Sequence, residues 1–264
     1  MNNLERIVAL TRTEVEQRRQ SVAADALARA AAARVSAGQA FAAALRRPGI
    51  ALIAEHKRRS PSAGAIRDSV ALEHVVRAYE RGGAQALSIL TEGPSFGGSL
   101  DDLRAARAAS TLPILRKDFV VDPYQVDEAV VAGADAILLI VAALTDDELH
   151  LLHGHAAQRG LDALVEVHDR RELERALAIG ARLVGINNRD LTTLEVDVAR
   201  TFELLPLVPE GTVVVAESGF SSRGQIEELI AAGIDAVLVG EALMRAPHIE
   251  LAVRSLTGSS PSTQ

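Results

Sequence analysis

Apolar and polar positions along the chain repeat as one unit: a short apolar run, a loop carrying Gly, Ser or Asp, a segment with apolar residues at helical spacing, and often a Gly-Ala pair before the next run. The runs fall at 50–55, 86–90, 113–116, 136–141, 163–167, 183–186, 212–216 and 236–239. Helix stops are expected at Gly82-Gly83, Gly133-Ala134, Gly160, Gly180-Ala181 and Gly233, because the left-handed residue that ends a helix is least strained as Gly. Helix starts are expected where a capping oxygen precedes a helical pattern, at Asp122 before Pro123, Thr145, Asp169 and Ser222. Residues 1–48 read as an Ala- and Arg-rich helical extension, with a cap region around Thr11 to Glu14. The expected organisation is this extension, repeating β/α units over 49–257, and a flexible tail at 258–264 rich in Ser, Thr and Pro.

Eight parallel-type runs joined by helices can form a doubly wound open sheet or a closed barrel. The open sheet carries a Gly-rich dinucleotide fingerprint after its first strand. The first run is followed instead by Lys57-Arg58-Arg59-Ser60-Pro61-Ser62. The predicted fold is therefore α/β, a single (β/α)8 TIM barrel with an N-terminal helical extension. Its 264 residues match the roughly 250 typical of that fold.

Composition refines the reading. Hydrophobic residues make up 48% of the chain while Trp and Cys are absent, so the core must be built from Ala, Val, Ile and Leu, as suits strands buried on both faces. Without Cys there are no disulfides, zinc–thiolate sites or cysteine nucleophiles. A net charge of −7 with no long basic stripe argues against nucleic acid as a partner. No run approaches the roughly 18 apolar residues that cross a bilayer, and the first residues lack a signal-peptide core, so the expected setting is cytoplasmic, with no membrane partner.

In such a barrel the chemistry sits at the C-terminal strand ends, and counting by two from each apolar run finds the side chains that face the mouth. Glu55 and Lys57 share the inward face of the first run, where they can act as a proton-transfer pair or anchor an anion, while His56 points away. Lys117 and Phe119 share a face on the third run, with Arg116 and Asp118 on the other. Lys117 is a candidate general acid or Schiff-base amine, and desolvation beside the aromatic is expected to lower its pKa. Glu166 sits within an apolar run, where burial is expected to raise its pKa and make it a base, provided that a cation such as Lys117 is near. His168 shares its face but reads as a hydrogen-bonded loop residue. Asn187 and Arg189 suit a carboxylate or several hydroxyls, whereas Asn188 and Asp190 shape the turn. The last two runs end in Glu217-Ser218-Gly219 and Gly240-Glu241, whose small residues before helix starts suit a phosphate cradle. No second histidine or carboxylate stands at metal-ligand spacing, so no metal is expected.

Together the phrases LIAEHKRRSPSAGAI, ALSILTEGPSFGGSLDDL, PILRKDFVVDPYQV, ADAILLIVAAL, LVEVHDRREL, GINNRDLTTLEVD, VAESGF and VLVGEALMR resemble the indole-3-glycerol phosphate synthases of tryptophan biosynthesis, in family order over roughly 41–245. The resemblance implies a lyase that closes the ring of 1-(2-carboxyphenylamino)-1-deoxyribulose 5-phosphate with loss of carbon dioxide and water, needing no cofactor and no obligate protein partner. It implies Lys117 as the acid on the ketone, Glu166 as the later base, and Glu55 with Lys57 as a neighbouring proton-handling pair, the dehydration acid being Lys57 or Lys117. Asn187 and Arg189 would meet the carboxylate and hydroxyls. Phe96, Phe119 and Leu191 would wall the aromatic ring, Ser60, Gly219 and Gly240 would hold phosphate, and Glu217, Ser218 and Glu241 would stand at the mouth. The family often has Lys after SPS and paired aromatics before the GGS turn, where this chain has Ala63 and Ser95, both in loops that bear on substrate closure. A sugar-phosphate isomerase, a Schiff-base aldolase and a catalytically silent phosphosugar-binding barrel remain as other readings of the same strand ends.

Overall fold

A computed structural model describes residues 2–34 and 40–258 of the chain; of the tail expected at 258–264, only Gly258 lies among them. Eight strands close a barrel in sequence order: β1 Ala51–His56, β2 Ala86–Leu90, β3 Ile114–Lys117, β4 Ala136–Ile140, β5 Asp162–Val167, β6 Leu183–Asn187, β7 Val213–Glu217 and β8 Ala236–Val239. Every neighbouring pair is parallel, and β1 pairs with both β2 and β8. Four strands run one residue beyond the apolar runs, taking in His56, Lys117, Asn187 and Glu217. The ladder bonds backbone groups whatever the side chain, so a polar residue facing a cavity need not end a strand. Val141, expected to extend the fourth run, instead starts a single 3-10 turn.

Helices α1 Asn3–Ser21, α2 Ala24–Ala32 and α3 Ala40–Leu45 precede the barrel. The cap expected at Thr11 to Glu14 is absent: a capping box of Asn2 and Glu5 starts α1 earlier, and Thr11 is buried within it. The helices on the outside are α4 Leu72–Gly82, α5 Leu100–Ala109, α6 Pro123–Ala132, α7 Asp146–Gln158, α8 Arg170–Ala178, α9 Ala199–Leu204, α10 Arg223–Ala232, α11 Glu241–Arg245 and α12 Ile249–Thr257. Asp122, Thr145, Asp169 and Ser222 cap α6, α7, α8 and α10 as expected, and Gly83, Gly133, Gly160, Gly180 and Gly233 all take positive φ at helix ends.

The core has two layers. Outward strand residues such as Leu52, Val165 and Ile186 pack against the helices. Inward residues pack on one another inside the barrel, and the first inward position of β1, β2, β4 and β8 is Ala in each case. Small residues there leave room for the fully buried Phe41 and Leu45 of α3, which seats against the N-terminal end of the barrel through Asp162, whose Oδ2 accepts from the Ala42 N–H at 2.9 Å. Phe41 fills volume that four alanines leave open, as close packing requires.

At the other end, Leu4 and Ile7 of α1 reach the inward cluster together with Phe119. The helix is tied to the barrel by a buried polar web on the outer face of β3. Arg116, only 1% exposed, donates to Asp118 Oδ2 at 2.8 Å, to the Gln125 carbonyl at 2.6 Å and to Thr91 Oγ1 at 3.1 Å. It also meets Glu128 at 3.3 Å, and Glu128 in turn takes Arg18 of α1 at 2.7 Å. Removing the guanidinium would leave two buried carboxylates short of a counter-charge. We therefore expect Arg116→Met to lower the unfolding free energy by about 3–5 kcal/mol. Equilibrium urea denaturation checks this, and a loss under about 1 kcal/mol would show that the web contributes little.

Candidate active site

The strand ends β1 to β8 open into a cavity of about 410 Å³. Its lining includes Glu55, Lys57, Phe96, Lys117, Phe119, Glu166, Asn187, Arg189, Leu191, Glu217, Ser218, Gly219, Gly240 and Glu241, which is the expected set save one. Ser60 lies instead on an adjoining cavity of about 70 Å³, beside Lys57 and the first turn of α1, in a short hairpin of Arg59–Ser60 with Gly64–Ala65. Its hydroxyl accepts from the Ala63 N–H at 3.2 Å, so it braces its own turn. Arg58 and Arg59 of that loop bind the next one: Arg58 forms a fork with Asp102 at 2.6 and 2.7 Å, and Arg59 caps the carbonyls of Gly93 and Pro94.

Strand tilt explains why the charges meet: Glu55, Lys117, Glu166 and Glu217 are inward residues of the alternate strands β1, β3, β5 and β7, and a closed barrel brings inward residues of alternate strands into one layer. Lys117 Nζ stands 2.8 Å from Glu166 Oε2 and 3.3 Å from Glu217 Oε2. Lys57 Nζ is 2.9 Å from Glu55 Oε1, and Ser88 donates to the other Glu55 oxygen at 3.1 Å. Two glycines make this crowding possible. A Cβ on Gly185 would come within 2.1 Å of Glu217 Oε1, and one on Gly240 within 2.6 Å of Glu55 Oε1. Gly240 is thus required by the carboxylate beneath it, whatever else its backbone holds.

The electrostatics reverse two expectations. Burial alone would depress the Lys117 ammonium, but Glu166, Glu217 and Glu55 outweigh it and raise its pKa above the usual lysine value. Burial would raise Glu166, yet Lys117 and His168 hold its carboxyl well below the ordinary range. The carboxyl that burial does raise is Glu217, pushed up to about 8 with help from Glu166 and Glu55 against Lys117. Expected at the mouth, Glu217 is 2% exposed and sits beside Lys117 and Glu166. One lysine cannot fully compensate both glutamates, so the trio retains a proton at neutral pH.

The walls differ around the rim. Phe96 and Phe119 face each other with ring centroids 6.4 Å apart and planes at 38°, giving an apolar side. Opposite, Asn187 Oδ1 accepts from the Arg189 N–H at 3.0 Å, and the Arg189 guanidinium donates to the Leu194 carbonyl at 2.9 Å. Asn188 and Asp190 do shape the turn: Asn188 Oδ1 takes Thr201, and Asp190 Oδ1 takes the Thr192 and Thr193 backbone. Sequence reasoning missed Arg245, which lines the cavity and pairs with Glu241 at 3.0 Å. The signal was its position one helical turn beyond Glu241 on the same face.

A family model for indole-3-glycerol phosphate synthase matches residues 4–256. The chain belongs to the indole-3-glycerol phosphate synthase family. It is 50% identical to an indole-3-glycerol phosphate synthase of Nocardioides sp. over 98% of this chain and 99% of that one, and 48% identical to indole-3-glycerol phosphate synthase 2 of Streptomyces coelicolor over 91% and 93%. Among solved structures it is similar in fold to a 3-hexulose-6-phosphate synthase from Salmonella typhimurium, with TM-score 0.63 and 13% identity over 79% of this chain and 97% of that one. A thiamine phosphate pyrophosphorylase from Pyrococcus furiosus superposes with TM-score 0.61 at 19% identity, over 79% and 94%. The family's shared name sits on a chain whose barrel mouth carries the charge cluster described above.

That cluster has a measurable cost. Native Glu217 keeps its proton up to about pH 8, whereas an unfolded glutamate releases it near 4.5. The native state binds the extra proton between those values, so the stability Glu217 contributes is present below about pH 4.5 and is lost as pH rises toward 8. Glu217→Gln is therefore expected to gain in Tm relative to the parent between about pH 5 and 8, read by thermal denaturation across that range. A gap that stays constant or narrows would remove the stored proton.

Proposed function

We propose that the chain closes the indole ring of 1-(2-carboxyphenylamino)-1-deoxyribulose 5-phosphate, releasing carbon dioxide and water and forming indole-3-glycerol phosphate. The observation that carries this reading is a lysine held charged between two buried glutamates at the floor of a cavity with one aromatic wall. Family membership supplies the substrate, and the cavity supplies a place for each of its parts.

The arene lies against Phe96, Phe119 and Leu191, its carboxylate and the sugar hydroxyls reach Asn187 and Arg189, and the phosphate sits at Ser218, Gly219 and Gly240 near Arg245 and Glu241. The ketone then stands over Lys117. Attack by the carboxyl-bearing ring carbon puts negative charge on the ketone oxygen, and Lys117 donates a proton to it. Carbon dioxide leaves with its bonding electrons returned to the ring. Dehydration follows: the new hydroxyl departs as water with a proton from the Lys57 and Glu55 pair, while Glu166 takes the proton from the neighbouring carbon. Glu217, protonated at neutral pH, restores the proton on Lys117.

Because Lys117 meets charge that exists only as the bond forms, Lys117→Met is expected to lower kcat by about three orders of magnitude or more while KM changes only a few-fold. Indole fluorescence and carbon dioxide release with the carboxyphenylamino substrate read both. A variant impaired mainly in KM would remove Lys117 as the acid, and turnover of the parent without carbon dioxide would point to an isomerase.

A further inference from the structure

His168, the first residue after β5, stands between two carboxylates. Its Nδ1 lies 2.9 Å from Glu172 Oε2, the same oxygen that accepts its backbone N–H at 2.8 Å. Its Nε2 lies 3.4 Å from Glu166 Oε1. That Nε2 and Glu166 Oε1 are both sealed from solvent, and neither has a hydrogen-bond partner among the described residues. The other Glu166 oxygen is taken by Lys117. Glu172 itself is fixed, since Asp169, the N-cap of α8, accepts its N–H at 2.8 Å. A loop histidine whose only task was to close a turn would need just the Glu172 contact.

We propose that Glu172 and His168 form a positioning dyad for Glu166, in which Glu172 fixes the imidazole and His168 stands as an imidazolium against the Glu166 oxygen that Lys117 leaves free. The inference rests on Glu166 being the base, as argued above. Two cations then flank Glu166 and one reaches Glu217, so of the two glutamates it is Glu217 that keeps the proton and Glu166 that is ready to accept one. The charged groups acting on His168 are Glu166 from its own strand and Glu172 from α8, with Lys117 and Glu217 acting through Glu166. Both carboxylates favour the imidazolium and outweigh its burial, raising its pKa to about 10, so the dyad stays charged through the neutral range. Freed of that cation, Glu166 and Glu217 become more nearly equivalent, and the acceptor is lost to protonation at a higher pH.

The test uses the whole chain with the carboxyphenylamino substrate, following kcat and KM from about pH 9 down to about pH 3, since an acid limb set by a carboxyl held below its ordinary value lies under pH 4.5, for the parent, His168→Asn, Glu172→Gln and the double variant. An opposite charge at this range lowers a carboxyl pKa by about 1–3, so His168→Asn is expected to move the acid limb of kcat upward by about one pH unit or more, with KM within about three-fold of the parent. Glu172→Gln moves the limb the same way by less. The double variant moves it no further than His168→Asn alone, because Glu172 acts only through the histidine. An acid limb unmoved in His168→Asn, even with a lower Tm, overturns the proposal and leaves His168 a structural residue. Fully additive shifts in the double variant also overturn it. Failure of the underlying reading shows separately, as a Glu166→Gln variant that keeps the parent kcat.

Discussion

Everything at the barrel mouth depends on one ammonium group shared by more carboxylates than it can neutralise. Lys117 reaches Glu166 at 2.8 Å and Glu217 at 3.3 Å, and the charge of Glu55 acts on it as well. Bringing three glutamates to one height inside a barrel is unfavourable unless cations and small residues accompany them. The chain supplies both. Lys57 takes Glu55, His168 faces Glu166, and Gly185 and Gly240 vacate the volume that the carboxylates of Glu217 and Glu55 occupy. The remaining imbalance is one proton, placed on Glu217 by its surroundings.

The rest of the fold offsets what that cluster costs. Alanines at the first inward strand positions let α3 close the far end with Phe41 and Leu45. The Arg116 web binds β3, α6 and α1 outside the barrel, directly behind the strand that carries Lys117. Through Leu4 and Ile7 the same α1 also reaches the small cavity beside Lys57. One helix thus bears on both sides of the β3 end, so the position of Lys117 and the covering of the cavity share a support.

Much of this was legible in the sequence, for physical reasons. Period-two counting from the apolar runs correctly turned Glu55, Lys57, Lys117, Glu166 and Asn187 inward, because a strand's pleat is indifferent to the fold around it. Caps at Asp122, Thr145, Asp169 and Ser222 are local chemistry and were equally readable. Protonation was not. The pKa of Lys117 depends on glutamates from β5 and β7, and sequence reasoning weighed burial without the neighbours that overrule it. Glu217 was placed at the mouth, where it stands, but not beside Lys117, although Val213, Val215 and Glu217 share a face by the same count. His168 and Arg116 passed as a loop residue and an outward side chain, because their partners Glu172, Glu128 and Arg18 come from helices whose placement no strand pattern reveals.

The central claim is that a single proton rests on Glu217 while Glu166 stays ionised beneath Lys117. Infrared difference spectroscopy of the ligand-free protein addresses it directly, through the C=O stretch of a protonated carboxylic acid followed as pH rises. The account predicts a buried carboxylic acid band at neutral pH that titrates away near pH 8 and is missing in Glu217→Gln; in Glu166→Gln, which removes a carboxylate that helps hold the proton, the band titrates away at a lower pH. A band retained unchanged in Glu217→Gln, or no such band at neutral pH in the parent, would contradict it.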